Sequence, residues 1–180
     1  RGGRVKRREA LSAAVAALAA GCGYALQGHG ITTDPSIKRI GVPLFKDRTG
    51  KRGLDARITA AVISELLKRG RFTVLQESAG VDAVVEGEIV AYNVQPISFG
   101  STVPGDTQQA SRYAISLTAS VVYRKLGQKE PLWTNEAFTQ RDEYDMGESP
   151  GSYFDREDQS IMRLAESFAR SLVAAMLEAF

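Results

Sequence analysis

From Tyr113 to Arg124 the residue types alternate without interruption, with Tyr113, Ile115, Leu117, Ala119, Val121 and Tyr123 on one parity and Ser116, Thr118 and Ser120 on the other. Side chains of a strand project to opposite faces with a period of two, so this segment demands a sheet that is apolar on one side only. The apolar side must be covered by another layer. Two segments can supply that cover. Leu54, Ile58, Ala61, Val62, Ile63, Leu66 and Leu67 follow helical spacing between Leu54 and Lys68, and Gly70 provides a C-terminal stop. A second helix is predicted from about Asp158 to Leu177, with Ile161, Leu164, Ala165, Phe168, Leu172 and Met176 on one stripe.

The remaining strand signals are shorter. Ile40, Val42 and Leu44 alternate up to a turn at Asp47-Arg48-Thr49-Gly50, and Phe72 to Leu75 reads as a short strand. Ala83 to Val94 is longer, with Val85, Gly87 and Ile89 on one face and Glu86 and Glu88 on the other. Leu132 to Thr139 follows a turn around Gly127 and is expected to pair back as a hairpin. The order β-α-β-β-β-β-α predicts an α+β two-layer sandwich. In it, two helices pack on one face of a mixed, mostly antiparallel sheet of about four to five strands. The Ser, Thr and Glu face is left for water or a partner. Pro96 to Arg112 is polar and rich in Ser, Thr, Gly and Gln, and is predicted as a long loop.

The N-terminal end is built differently. Arg1, Arg4, Lys6, Arg7 and Arg8 precede an uncharged run from Ala10 to Ala20, eleven residues long. As a helix that run spans roughly 16 Å, about half of a ~30 Å hydrocarbon core, so it is too short to cross a membrane. A basic region, a short apolar region and the small residues Ala19-Ala20-Gly21 are the parts of a secretory signal peptide, and residues 1–21 are expected to be cleaved. The one cysteine follows at once, in Leu18-Ala19-Ala20-Gly21-Cys22-Gly23, which resembles a bacterial lipobox with Ala19 where Leu is commonest. The resemblance implies a diacylglyceryl thioether on Cys22, cleavage before it and acylation of the new terminus. More than one chain is what stable anchoring requires. By resemblance to lipoprotein sorting, Gly23 in place of Asp implies the outer over the inner membrane. The expected organisation is a signal peptide at 1–21, a lipidated tether at 22–36 and a single α+β periplasmic domain at 37–180. Removing residues 1–21 takes away five basic residues and Glu9, so the overall +2 becomes about −2, with 18 basic residues against 20 acidic. Bulk charge therefore argues against nucleic acid as a partner, and any attraction to phosphate must be local.

Catalytic candidates are few. A single Cys and a single His, His29, exclude an intrachain disulfide, Cys-cluster metal sites and multi-histidine centres, so no metal and no cofactor beyond the lipid on Cys22 is expected. A Ser-His-Asp site would depend on His29 beside the tether, an unfavourable place. Glu86 and Glu88 point the same way and could form a glycosidase-like carboxylate pair, although a polar strand face needs no such role. Asp142, Glu143, Asp145 and Glu148 form an acidic run without EF-hand spacing. Gly50-Lys51-Arg52-Gly53 precedes a helix and could cradle an anion there, yet it lacks P-loop spacing.

Several strings, in order along the chain, are similar to the lipopolysaccharide-assembly lipoprotein family LptE. They are Cys22-Gly23-Tyr24-Ala25-Leu26-Gln27-Gly28, Ile40-Gly41-Val42-Pro43-Leu44-Phe45 with Asp47-Arg48-Thr49-Gly50, and Ala83-Val84-Val85-Glu86-Gly87-Glu88-Ile89. Leu132-Trp133, Glu143-Tyr144, Phe154-Asp155-Arg156-Glu157 and Phe168-Ala169-Arg170 complete the set. The resemblance implies a non-enzymatic outer-membrane lipoprotein, lipid-anchored on the periplasmic side. Such a protein sits inside a large β-barrel of the LptD type and assists delivery of lipopolysaccharide to the outer leaflet. It also implies basic side chains that meet lipid A phosphates, and the candidates here are Arg112, Arg156, Arg48, Lys51 and Arg52. Two rival readings are another outer-membrane lipoprotein, such as a ring-forming secretion-pore subunit, and a periplasmic hydrolase using Glu86 and Glu88.

Overall fold

The alternating segment lies in the middle of the sheet, and its neighbours follow from its pairing. A computed structural model of the chain describes residues 34–100, 109–145 and 152–178. The strands are β1 (Arg39–Gly41), β2 (Lys46–Asp47), β3 (Thr73–Leu75), β4 (Ala83–Gly100), β5 (Gln109–Lys125) and β6 (Trp133–Asp145). The helices are α1 (Leu54–Lys68) and α2 (Ser152–Glu178). The sheet runs β3-β1-β4-β5-β6, with β2 pairing a further stretch of β4, and so has six strands where four to five were expected. The extra strand is the two-residue β2, too short to leave a periodic signal. β1 runs parallel to β3 and β4, and β2 parallel to β4, whereas β4–β5 and β5–β6 are antiparallel. The fold is the mixed α+β sandwich that the patterning predicts. The proposed signal peptide, Cys22 and His29 lie outside the described residues, as do all of the tether before Asp34 and Glu148.

One core joins the layers. Val85, Ile89, Ile115, Leu117, Ala119, Val121 and Tyr123 from the sheet meet Leu54, Ile58, Val62 and Leu66 of α1 and Ile161, Leu164, Phe168, Leu172 and Met176 of α2. Each such aliphatic or aromatic side chain contributes about 1.5–3 kcal/mol by leaving water. α1 ends as predicted: Arg69 caps it, and Gly70 follows at φ 66, in the left-handed region where a side chain would be strained.

Three departures from the sequence reading have physical causes. First, Ile89 pairs with Ala119 but Ala91 pairs with Thr118, so Val90 is an extra residue. The inward parity of β4 switches there, and Tyr92 and Val94 pack on the core in place of Ala91 and Asn93. Second, the predicted loop from Pro96 to Arg112 is largely a continuation of the β4–β5 hairpin, with Pro96 opposite Tyr113 and Phe99 opposite Ala110. This end of the hairpin is exposed, with Phe99 58% accessible, so neither face has to be apolar and no alternation marks it. Beyond Ile89 no strand flanks the far side of β4 among the described residues, so Pro96 interrupts no ladder there. Third, β6 reaches Asp145 and α2 begins at Ser152, each six residues beyond its predicted limit of Thr139 or Asp158, because both extensions are held by polar contacts that leave no apolar period.

Tyr123 is fully buried, and its hydroxyl has no hydrogen-bond partner among the described residues. Burial pushes its phenol up to about 12, and Asp34 adds to the shift. The folded state therefore holds a proton that the unfolded chain begins to lose near pH 10, so stability falls as pH rises from about 10 toward 12. Tyr123→Phe removes an unmet donor, and it is expected to raise stability by about 1 kcal/mol at neutral pH. Urea midpoints of the two proteins at neutral and alkaline pH would show the gain and the reduced alkaline loss.

Candidate functional site

The sequence candidates fall into three groups, placed by the sheet, by the loop before α1 and by the first turns of α2. At the junction of β6 with α2, Arg112 Nε donates to Asp145 Oδ1 at 2.7 Å, and Arg156 Nη1 donates to the backbone carbonyl of Asp145 at 3.2 Å. The fold thus brings Arg112 and Arg156 to one residue. Arg112 holds the Asp145 carboxyl below its usual range, and Asp145 in turn raises the guanidinium. Beside them Arg163 binds Asp142 at 2.9 Å, and Arg141 binds Glu143 at 3.1 Å. A polar recess of about 180 Å³ lies between Tyr144, Asp145, Arg156, Gln159 and Arg163. The acidic run at Asp142, Glu143 and Asp145 therefore faces guanidinium groups. Among the described residues no group of His, Cys, Asp and Glu could hold a metal ion.

The second group precedes α1. Arg48 Nε donates to Glu88 at 2.6 Å, and Lys51 Nζ donates to Glu157 at 2.7 Å while lying 5.5 Å from the Tyr92 ring centroid. Tyr92 also donates its hydroxyl to Glu157 at 2.9 Å. Lys51 is therefore turned onto the body of the protein instead of into the loop that was expected to cradle an anion. Arg52 is exposed and carries no ion pair among the described residues. The third group is the carboxylate pair. Glu86 accepts a fork from Arg124 at 3.1 and 3.2 Å, and Glu88 accepts from Arg48. Glu86 raises the Arg124 guanidinium. Both carboxylates are engaged structurally, beside a cleft of about 390 Å³ lined by Pro43, Leu44, Lys46, Ser78 and Ser120. The outer face of the sheet is thus closed over by cross-strand polar pairs, which include Thr118 with Thr139 at 2.9 Å.

Sequence reasoning missed Glu157, Asp158 and Arg57. Glu157 is 6% exposed and sits on the α2 stripe four residues before Ile161, a charged residue in an apolar row. Because the helix was predicted to start at Asp158, that signal fell one residue outside it. Asp158 accepts from Arg57 at 2.8 Å, which holds its carboxyl below the usual range. A single turn of α2 therefore fastens β6 through Arg156, β4 and the loop before α1 through Glu157, and α1 through Asp158.

The N-terminal strand is pinned by another carboxylate. Asp82 accepts the backbone amides of Lys38 and Arg39 and the Arg39 guanidinium, and these bonds hold it below its usual range. A depressed carboxyl stabilises the fold above its unfolded value, near pH 4, and that contribution is lost as pH falls through the folded value. Asp82→Asn is expected to flatten the acid limb of stability below about pH 4, as read from urea midpoints across pH.

Comparison with known proteins gives a single family. The family model described as LptE, lipopolysaccharide-assembly, matches residues 37–176. No curated protein matches by sequence. Among solved structures, protein XCC0632 from Xanthomonas campestris superposes with a TM-score of 0.54 at 8% identity, over 83% of this chain and 91% of that one. The rare lipoprotein B from Shewanella oneidensis gives a TM-score of 0.42 at 11% identity, over 79% of this chain and 92% of that one. At such identities the Xanthomonas likeness speaks to the fold alone.

Proposed function

Because the chain belongs to the lipopolysaccharide-assembly family LptE, we propose that it is a non-enzymatic outer-membrane lipoprotein. In this reading it assembles with and plugs an LptD-type β-barrel and so delivers lipopolysaccharide to the outer leaflet. The observation that carries the reading is the extent of the match, from 37 to 176, which takes in all the described strands and almost all of α2. Residues 1–21 are removed on export, Cys22 receives the lipid, and the domain is held at the periplasmic side. The outer face of the sheet, with Arg124–Glu86, Arg48–Glu88 and Arg141–Glu143 already paired, meets the barrel wall as a neutral polar surface.

Lipid A phosphate is met by Arg112, Arg156, Arg48, Lys51 and Arg52. Of these, Arg52 carries no ion pair among the described residues, so a phosphate binds it without displacing an acid. Arg112, Arg48 and Lys51 must first exchange a protein carboxylate for the ligand.

Depletion of the protein is expected to lower both surface lipopolysaccharide and the amount of folded barrel. Tagged protein drawn from outer membranes is expected in a 1:1 complex with a large β-barrel. Unchanged surface lipopolysaccharide on depletion, or recovery only as a homo-oligomer, would overturn the reading.

A further inference from the structure

β6 is the last strand of the sheet and thirteen residues long. At about 3.3 Å per residue it presents roughly 40 Å of strand edge, the kind of surface on which a second strand adds. The hydrogen bonds along this edge are taken by side chains of the same chain. Arg163 Nη2 donates to the Glu143 carbonyl at 3.3 Å, and Arg156 Nη1 donates to the Asp145 carbonyl at 3.2 Å. Both arginines stand on α2 and reach the edge from the helix side. At the other end, the register slips between Ala119 and Val121, where β6 carries an extra residue. There Asn135 Oδ1 accepts the Ala137 amide at 2.9 Å, and Thr139 Oγ1 donates to the Ala137 carbonyl at 3.3 Å.

The remaining groups can be located from the ladder. Residues of an antiparallel pair alternate between bonding inward and facing out, and Glu143 and Asp145 face out because guanidinium groups occupy their carbonyls. Thr139 and Arg141 lie in the same phase, and the short Thr118–Thr139 hydroxyl contact agrees with a pair that is not hydrogen-bonded across the backbone. Only these two residues keep both edge groups open between the blocked ends, too short a run for a strand to add.

We propose that Asn135, Thr139, Arg156 and Arg163 close the β6 edge to strand addition, and that the strand they exclude is β6 of a second copy of this chain. The closure leaves the faces of the sandwich, and not this edge, as the surface for assembly. Arg163 does two tasks, since it binds Asp142 as well as the Glu143 carbonyl.

The test uses the full chain carrying Cys22→Ser, so that acylation cannot itself drive association. Adding Asn135→Ala and Arg163→Met frees the Ala137 amide and the Glu143 carbonyl, which lengthens the open edge at both ends of the Thr139–Arg141 stretch. Sedimentation velocity is expected to show an association constant at least about tenfold above the parent's. Arg141→Pro in the same background is expected to return the protein to the parent's behaviour, because proline removes the central edge amide. A second measurement does not require the variant to fold. In the parent, the amides of Thr139 and Arg141 are expected to exchange quickly at every protein concentration, while that of Ala137 is slowed. Equal association of parent and variant, failure of Arg141→Pro to reverse it, or parent protection at Thr139 and Arg141 that grows with concentration would each overturn the proposal.

Discussion

Gly87→Ala is expected to lower stability by about 2–3 kcal/mol, a large loss for the addition of one methyl group. A Cβ at Gly87 would lie 2.2, 2.4 and 2.6 Å from three atoms of the Phe45 ring, well inside van der Waals contact. The ring has no retreat: Phe45 is 1% exposed, and its amide is fixed to Thr59 Oγ1 at 3.0 Å. Thr59 in turn donates to the Asp55 carbonyl within α1, so the linker between β1 and β2 is tied to the helix that covers it. The missing side chain at Gly87 is thus the space in which Phe45 fills the core. A smaller partner should relieve the conflict, so Phe45→Leu combined with Gly87→Ala is expected to cost less than the two single changes added together. Urea unfolding of the four proteins measures the coupling. A Gly87→Ala protein within about 0.5 kcal/mol of the parent would show that the ring is not held there.

Lys51→Met is expected to cost a similar amount, about 2–4 kcal/mol, through a different cause. The Glu157 side chain is only 8% exposed, and with Lys51 gone it retains the Tyr92 hydroxyl as its partner. Removing the lysine leaves a buried carboxylate with one neutral donor in place of its counter-charge. Replacing both residues by apolar side chains of similar size removes the stranded charge, so Lys51→Met with Glu157→Leu is expected to recover most of the loss. Thermal unfolding distinguishes the cases. If Lys51→Met is neutral while Glu157→Leu alone is costly, the carboxylate owes its stability to Tyr92 and not to the lysine.

The parts of the fold legible in the sequence were those where one face meets the core and the other meets water. β5 satisfied that condition over most of its length, and α1 satisfied it from Leu54 through Leu66. Where the condition lapses, the pattern fades. Ile97 and Phe99 are exposed, and their segment carries no strand signal because pairing there depends on the neighbour across the hairpin and not on burial. Val90 shows a second limit, since one inserted residue reverses the meaning of every position after it. For the candidate site, Arg112 and Arg156 were visible as cations, but their common partner at Asp145 was not. Lys51 and Glu157 are 106 residues apart, and no local spacing connects them. Ion pairs of that separation are a product of topology, which the alternation of β5 constrains only in part.

The turn of α2 at Arg156, Glu157 and Asp158 has a consequence in time as well as in space. These residues follow all the described strands, yet they fasten to β6, β4 and α1, and the helix that carries them supplies much of the apolar cover. Until α2 has docked, Ile115, Leu117 and Val121 have no roof along one side, and the earlier elements form an unfinished sheet. Closure therefore waits on contacts of long sequence separation, which slows folding and prolongs the exposure of that sheet. On the export route proposed above, the sheet stays unroofed on one side until the last helix is in place.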